Sequence, residues 1–369
     1  MRVRTDCRYF DGYKPCRFGR PCEGCPHVDV PAARVLIVNL DHLGDVVRST
    51  ALLGPLHRSL PGAHVTWLTL PRAVPLLDHV EGLDRVLPLD PTTGPLLAVL
   101  AFDLVLGVDK SLQGGALTMA ARAGERRGFG LDAHGAIVPL NPEAGELYRL
   151  GLDDEAKFHH NRKPMTQLVC EALALPWQRD PYLVALSADE ADGVARWREE
   201  QGLAGGRPLV GFNTGSSDTL RYKRLTVEDQ AGLVDRVAGR CPDAALALLG
   251  GPEDTARNEA VARRAAAPVI QTPTEEGLRR GLQMVAACDV VVSGDSLGMH
   301  MAIGLGKPVV AWFTVSSTVE IDLYDRGARV RAEVDCRPCM KRDCEREPKC
   351  FERVPLGALA DEVGRIVDP

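Results

Sequence analysis

Residues 34–51 constrain this chain more than any other stretch: Arg-Val-Leu-Ile-Val-Asn-Leu-Asp-His-Leu-Gly-Asp-Val-Val-Arg-Ser-Thr-Ala. Val35 to Leu40 is a short apolar, β-branched run, as expected of a strand buried on both faces. Asp41 to Gly44 supply turn chemistry. Apolar residues then recur at three- and four-residue spacings from Val46 to Leu60, which predicts a helix. A strand that turns through glycine into a helix N-terminus makes an anion-friendly pocket at the carboxyl edge of a sheet. Asp45 stands at that turn, where both a helix cap and a catalytic base would be placed.

The same alternation continues along the chain. Strands are predicted at His64–Leu70, Arg85–Leu89, Phe102–Asp109, Arg126–Gly130 and Ala136–Leu140, with helical patterns between them and a further helix over Asn161–Leu173. A polar, proline-bounded connection follows at Pro176–Pro181. The second half repeats the pattern. Ser187-Ala-Asp-Glu190 is a capping box, Thr226 caps a second helix, and strands are expected at Pro208–Asn213, Ala244–Leu249, Val269–Ile270 and Asp289–Ser293, with Pro308–Phe313 the last. Such βαβ alternation implies an α/β fold of two doubly wound, Rossmann-like domains facing across a cleft. Their expected limits are 31–176 and 182–332. A cysteine-rich segment (1–30) precedes them, and a cysteine finger (333–352) and a C-terminal helix (353–369) follow.

The 369 residues carry a formal charge of −6, which argues against nucleic acid as the main partner. No apolar run approaches the ~18 residues of a membrane span. The first residues lack the apolar core of a signal peptide, so a cytoplasmic protein is expected. A P-loop, a Gly-x-Gly-x-x-Gly turn after the first strand and a Gly-x-Ser-x-Gly elbow are all missing. That disfavours nucleotide hydrolysis, dinucleotide redox chemistry and esterase chemistry.

Three loops of the second half lie at strand ends where ligands collect. Asn213-Thr-Gly-Ser216, with Lys223 and Arg224 beyond it, combines glycine, hydroxyls and paired cations, a set that favours phosphate over a merely solvated loop. Gly250-Gly251 lets backbone approach a ligand, although a plain tight turn would look the same. In Gly294-Asp-Ser-Leu-Gly-Met-His300, Asp295 and Ser296 read equally as N-cap residues, Gly298 opens the helix, and His300 lies within its first turns.

Eight of the 11 cysteines fall into two clusters at the chain ends. Cys7, Cys16, Cys22 and Cys25 sit in a segment with little apolar surface of its own. Cys336-Arg-Pro-Cys339, Cys344 and Cys350 have the spacing of a four-thiolate metal site. In a reducing compartment such clusters are more often metal ligands than disulfides, and thiolates alone do not separate zinc from iron. Both clusters are therefore expected to hold structural zinc or iron, and to share ligands if the last helix crosses back to the first domain.

Five motifs in order resemble the glycosyltransferase family that includes ADP-heptose:lipopolysaccharide heptosyltransferases (glycosyltransferase family 9, GT-B fold). They are Leu36-Ile-Val-x-Leu-x-x-Leu-Gly-Asp-Val46, Phe102-Asp-Leu-Val105, Asn213-Thr-Gly-Ser216 with Lys223-Arg224, Leu248-Leu-Gly-Gly-Pro-Glu253, and Gly294-Asp-Ser-x-x-Met-His300 with Gly306-Lys-Pro308. The resemblance spans about residues 33–352. It implies an inverting transferase using a nucleotide-sugar donor, with ADP-heptose the expected one, whose chemistry needs no metal. It also implies Asp45 as general base, Lys223 at the donor diphosphate, Asp295 and His300 at the sugar and phosphates, and the Gly250-Gly251 loop near the nucleoside. The C-terminal cysteines resemble the iron-binding finger of autotransporter heptosyltransferases.

The chain departs from the family at Asp41-His42, where small hydroxyl residues are usual. A second acid and an imidazole thus stand beside the base, to tune it or to replace it. Leu297-Gly298 and Leu225-Thr226 are departures on the donor side. The acceptor is open among a glycolipid, a protein and a small molecule; loops 110–115 and 153–163 are expected to hold it. The resemblance allows a membrane-peripheral placement and a homo-oligomer. A GT-B nucleotide-sugar epimerase and a non-catalytic cysteine-finger scaffold are the alternatives.

Overall fold

The apolar run after Arg34 becomes the central strand of the first sheet because it is hydrogen-bonded on both edges and covered on both faces. In the computed structural model, which describes residues 3–10, 12–13, 16–203, 205–336 and 338–368, that strand is β1 (Arg34–Val38). Val35 to Val38 are wholly buried. β2 (His64–Thr69), β3 (Arg85–Pro88), β4 (Ala101–Gly107), β5 (Arg122–Leu131) and β6 (Ile137–Pro139) complete a sheet ordered β3-β2-β1-β4-β5-β6. All pairings are parallel except β5 with β6. The chain runs outward from β1 to β3 and then returns to the other side of β1 as β4. The switch point therefore lies between the carboxyl ends of β1 and β4, where a ligand-binding crevice forms in sheets of this kind.

The second sheet repeats this logic. β7 (Leu209–Asn213), β8 (Ala245–Leu249), β9 (Ile270–Gln271), β10 (Val290–Gly294), β11 (Val309–Phe313) and β12 (Gly327–Arg331) are ordered β12-β11-β10-β7-β8-β9, all parallel. Its switch point lies between β7 and β10.

The helix Leu43–Ser49 after β1 rests on the helix Leu297–Gly304 after β10. Val47, Ala51 and Leu76 enter the apolar cluster built mainly from the second domain. The Leu183 amide donates to Thr50 Oγ1 at 2.7 Å, and Arg279 donates to the Pro75 carbonyl at 3.0 Å. The two switch points are thereby brought toward each other.

Three expectations need correction. Pro308–Phe313 is not the last strand: β12 follows it as an edge strand whose burial alternates with exposure, so Gly-Ala-Arg-Val-Arg carries no buried run to mark it. The first domain's fifth strand is ten residues long and begins at Arg122, ahead of the expected start at Arg126, and the helix before it ends at Ala120. The last helix, Leu356–Val367, does not cross back to the first domain. Its apolar face (Leu359, Ala360, Val363) packs on the helix Val227–Arg240 and on the second sheet. Among the described residues no helix is long and apolar enough to cross a membrane.

Candidate active site

At the first switch point two carboxyl groups meet, one from each strand end. Asp109, just after β4, is 1% exposed. It accepts a hydrogen bond from Asn39 Nδ2 at 2.7 Å and another from the Leu40 amide. Its other contact is the Asp41 side chain, which hydrogen-bonds to it. Burial, and then the neighbouring Asp41, pushes the Asp109 carboxyl up to about 8. Burial, and then Asp45, also raises Asp41. Two acids that close in a dry crevice cannot both ionise cheaply, so the pair holds one proton at neutral pH. His42 is exposed and its side chain does not cap the helix.

Asp45 lies in the first turn of the helix Leu43–Ser49, but its carboxylate is not used as a cap. Instead Arg48, one turn on, donates to Asp45 Oδ1 at 2.5 Å. Arg48 also stands within electrostatic reach of Glu320 and Asp295 from the second domain.

Asp295 follows β10 and is paired, not capping. Lys223 Nζ donates to its Oδ2 at 2.7 Å, and His300 Nε2 lies 3.7 Å from its Oδ1. Asp295 and Lys223 are 13% and 15% exposed, so the pair is largely desolvated. Despite burial, the Lys223 ammonium and the hydrogen bond with His300 hold the Asp295 carboxyl well below the usual carboxylate range. Ser296 occupies the N-cap position, yet its hydroxyl accepts from Asn213 Nδ2 at 2.9 Å rather than from its own helix. That bond needs Gly298, since a Cβ there would come within 2.5 Å of Asn213 Oδ1. Gly44 has the same role between domains: a Cβ there would lie 2.6 Å from His300 Cδ2.

Thr214 donates to Asn258 Oδ1 at 2.5 Å. Gly215 and Gly250 both crowd Asp254, which also accepts from the Gly251 amide at 3.0 Å. Arg224 stands beside Asp254 and Arg257. The two glycine loops are thus folded around a buried acid, the plain structural use of Gly250 and Gly251. Two buried polar atoms at this switch point, Ser216 Oγ and His300 Nδ1, have no partner among the described residues.

A model of the family described as glycosyltransferase family 9 (heptosyltransferase) matches residues 96–350. The chain belongs to glycosyltransferase family 9. The match takes in Asp109 and the whole second switch point and begins beyond the β1 turn. Lipooligosaccharide heptosyltransferase 2 of Haemophilus influenzae is 22% identical over 311 residues, 77% of this chain and 84% of that one. The solved glycosyl transferase family 9 protein of Veillonella parvula superimposes with a TM-score of 0.73 at 16% identity, over 92% of this chain and 98% of its own. For the E. coli ADP-heptose LPS heptosyltransferase II the values are 0.65, 18%, 91% and 98%. TibC of enterotoxigenic E. coli, described as an iron-containing dodecameric glycosyltransferase, gives 0.54, 12%, 91% and 76%. The fold is therefore GT-B, and the chain is a glycosyltransferase.

The two cysteine clusters lie on different domains. The N-terminal segment docks through Arg8 on Gly62, Ala63 and Asp84 of the first domain. The C-terminal finger rests on the second domain, with the Cys339 amide on the Val315 carbonyl (2.9 Å) and Phe351 stacked on Tyr222. Cys336, Cys339 and Cys344 all lie within electrostatic reach of Cys350, whose thiol is pushed up to about 11, first by burial. Among the described residues no three Cys, His, Asp or Glu side chains converge as they would around one metal ion.

Sequence reasoning missed Arg48, Asp109 and Asp254. Arg48 was within its reach, because a cation three residues after Asp45 on a helix is a neighbour by spacing alone. Asp109 was not, because its contact with Asp41 depends on β1 and β4 being adjacent.

Proposed function

We propose that this chain transfers a heptose, or a closely related sugar, from ADP-heptose to an acceptor hydroxyl with inversion at the anomeric carbon. The observation that carries the reading is the packing of the two switch-point helices on each other, with Asp45 held by Arg48 on one side and Asp295 by Lys223 on the other. In this reading Arg48 holds Asp45 by Oδ1, and Oδ2 takes the proton as the acceptor oxygen bonds to the anomeric carbon. The bond from that carbon to the β-phosphate oxygen breaks on the opposite face. Lys223, the N-terminus of the helix Leu297–Gly304, and the unpartnered Ser216 Oγ and His300 Nδ1 meet the departing diphosphate. The Asp41–Asp109 pair, with one proton between its members, carries one negative charge fewer beside the base than two carboxylates would.

In this reading the loop 153–163 holds the acceptor, and a cavity of about 560 Å³ bordered by Arg149, Asp153, Glu155, His160, Arg162 and Lys163 in that region supports it. Cys336, Cys339, Cys344 and Cys350 supply the donor types of a structural iron or zinc, which would tie the finger to the second domain. A cytoplasmic location belongs to the same reading. The test is Asp45→Asn. Transfer from ADP-heptose should fall by about 100-fold or more, the scale of a lost general base, while donor affinity stays near that of the parent. Unchanged transfer removes Asp45 from the role.

A further inference from the structure

The N-terminal segment is the part of the chain that sugar transfer leaves unused. It lies at the amino-terminal edge of the first sheet, against Gly62, Ala63 and Asp84 just before β2 and β3, away from the carboxyl edge that carries the candidate active site. Among the described residues before 29, Cys7 alone is buried, so the segment has no apolar core of its own. Its order comes from three tight turns. The Phe10, Gly19 and Cys25 amides donate back to the carbonyls of Cys7, Cys16 and Cys22. Each turn thus presents a cysteine, and the third carries two. All four thiols are free and all four line one cavity of about 80 Å³, walled also by Tyr9, Phe10 and Phe18.

The size of that cavity decides what it suits. Four thiolates around one zinc or iron ion sit ~2.3 Å from the metal, hence about 3.8 Å from one another, and enclose no free space. Here all four cysteines border one shared cavity whose volume is several times the ~10–15 Å³ that a water needs, with aromatic side chains completing its wall. A polynuclear cluster needs this wider arrangement, with one thiolate at each of its corners. Two further features match a sulfur-rich anionic guest. The Asp29 amide points at Cys7 Sγ at 3.5 Å, the kind of N–H to sulfur bond that tunes such centres. Arg4 lies within electrostatic reach of Cys7 and Cys22.

We propose that Cys7, Cys16, Cys22 and Cys25 bind an iron–sulfur cluster, separate from any metal in the C-terminal finger. The cluster fastens the N-terminal segment to the first domain, since the turns that present its ligands also carry Arg8. Assembly consumes only iron, inorganic sulfide and the four thiols, which lose their protons. Nothing in this proposal depends on the sugar-transfer reading.

The full chain is purified anaerobically from iron-replete cells, and iron, zinc and acid-labile sulfide are measured with visible absorption and electron paramagnetic resonance after reduction. Sulfide is the discriminating readout, because a four-thiolate finger holding one ion contains none. The expected result is sulfide with more than one iron per chain and broad visible absorption. Cys22→Ser/Cys25→Ser should lose the sulfide and keep ADP-heptose binding, whereas Cys339→Ser/Cys344→Ser should keep the sulfide. Should the first variant fail to fold, the parent's own sulfide content still decides the question. Zinc without sulfide, two disulfides by intact mass, sulfide that disappears with the finger variant, or no sulfide after anaerobic reconstitution with iron and sulfide would each overturn the proposal.

Discussion

Asp109→Asn tests the shared-proton pair through stability, without needing an acceptor. The Asp109 carboxyl is raised to about 8 by burial and by Asp41, against ~3.9 in an unfolded chain. Between those values the folded protein binds one proton more than the unfolded one. The stability tied to the pair is therefore fully present below pH ~4 and is lost as pH rises through about 8. One proton corresponds to about 1.4 kcal/mol per pH unit, or about 3 kcal/mol between pH 5 and pH 7. Asparagine has the shape of the protonated acid, can still accept from the Leu40 amide, and never ionises. The variant should gain on the parent by up to about 3 kcal/mol over that interval, a ceiling because Asp41 stays half-buried beside Asp45. Urea unfolding at a series of pH values, followed by tryptophan fluorescence, measures the difference. Parallel profiles for parent and variant would refute the shared proton.

Gly44→Ala places a Cβ 2.6 Å from the His300 ring and should push the two facing helices apart. Displacements on the scale of 1 Å cost about 100-fold when catalytic groups are misplaced, so kcat/KM for sugar transfer should fall on that scale while the circular dichroism spectrum is retained. Lys223→Met leaves Asp295 as a buried charge without its main partner. It should lower the unfolding free energy by about 3–5 kcal/mol and weaken ADP-heptose binding together, and a variant as stable as the parent would show that the pair is not desolvated.

Much of this architecture could be read from local patterns. The strand at Arg34, the Ser187–Glu190 capping box and the Thr226 cap lie where apolar period and cap chemistry put them. β12 could not be read, because an edge strand that alternates exposed Arg and Gly carries no buried run. The site divides in the same way. Asp45 and Asp295 are pointed to by motif order, since each directly follows a glycine in a strand-to-helix turn, and Lys223 and His300 are pointed to by the motifs that contain them. The approach of the two switch-point helices, and the pairing of Asp41 with Asp109, depend on which strands are neighbours and on how closely two domains pack. Gly44 shows the limit well. In sequence it is a turn residue, whereas in the folded chain it is the point where His300 reaches the first domain.

The central claim is that the two switch points together form the site of a nucleotide sugar, and calorimetric titration of ADP-heptose into the full chain tests it most directly. The account predicts saturable binding, one donor per chain, and weaker binding to Lys223→Met. No binding of ADP-heptose, or of any UDP or GDP sugar tried beside it, would contradict the account.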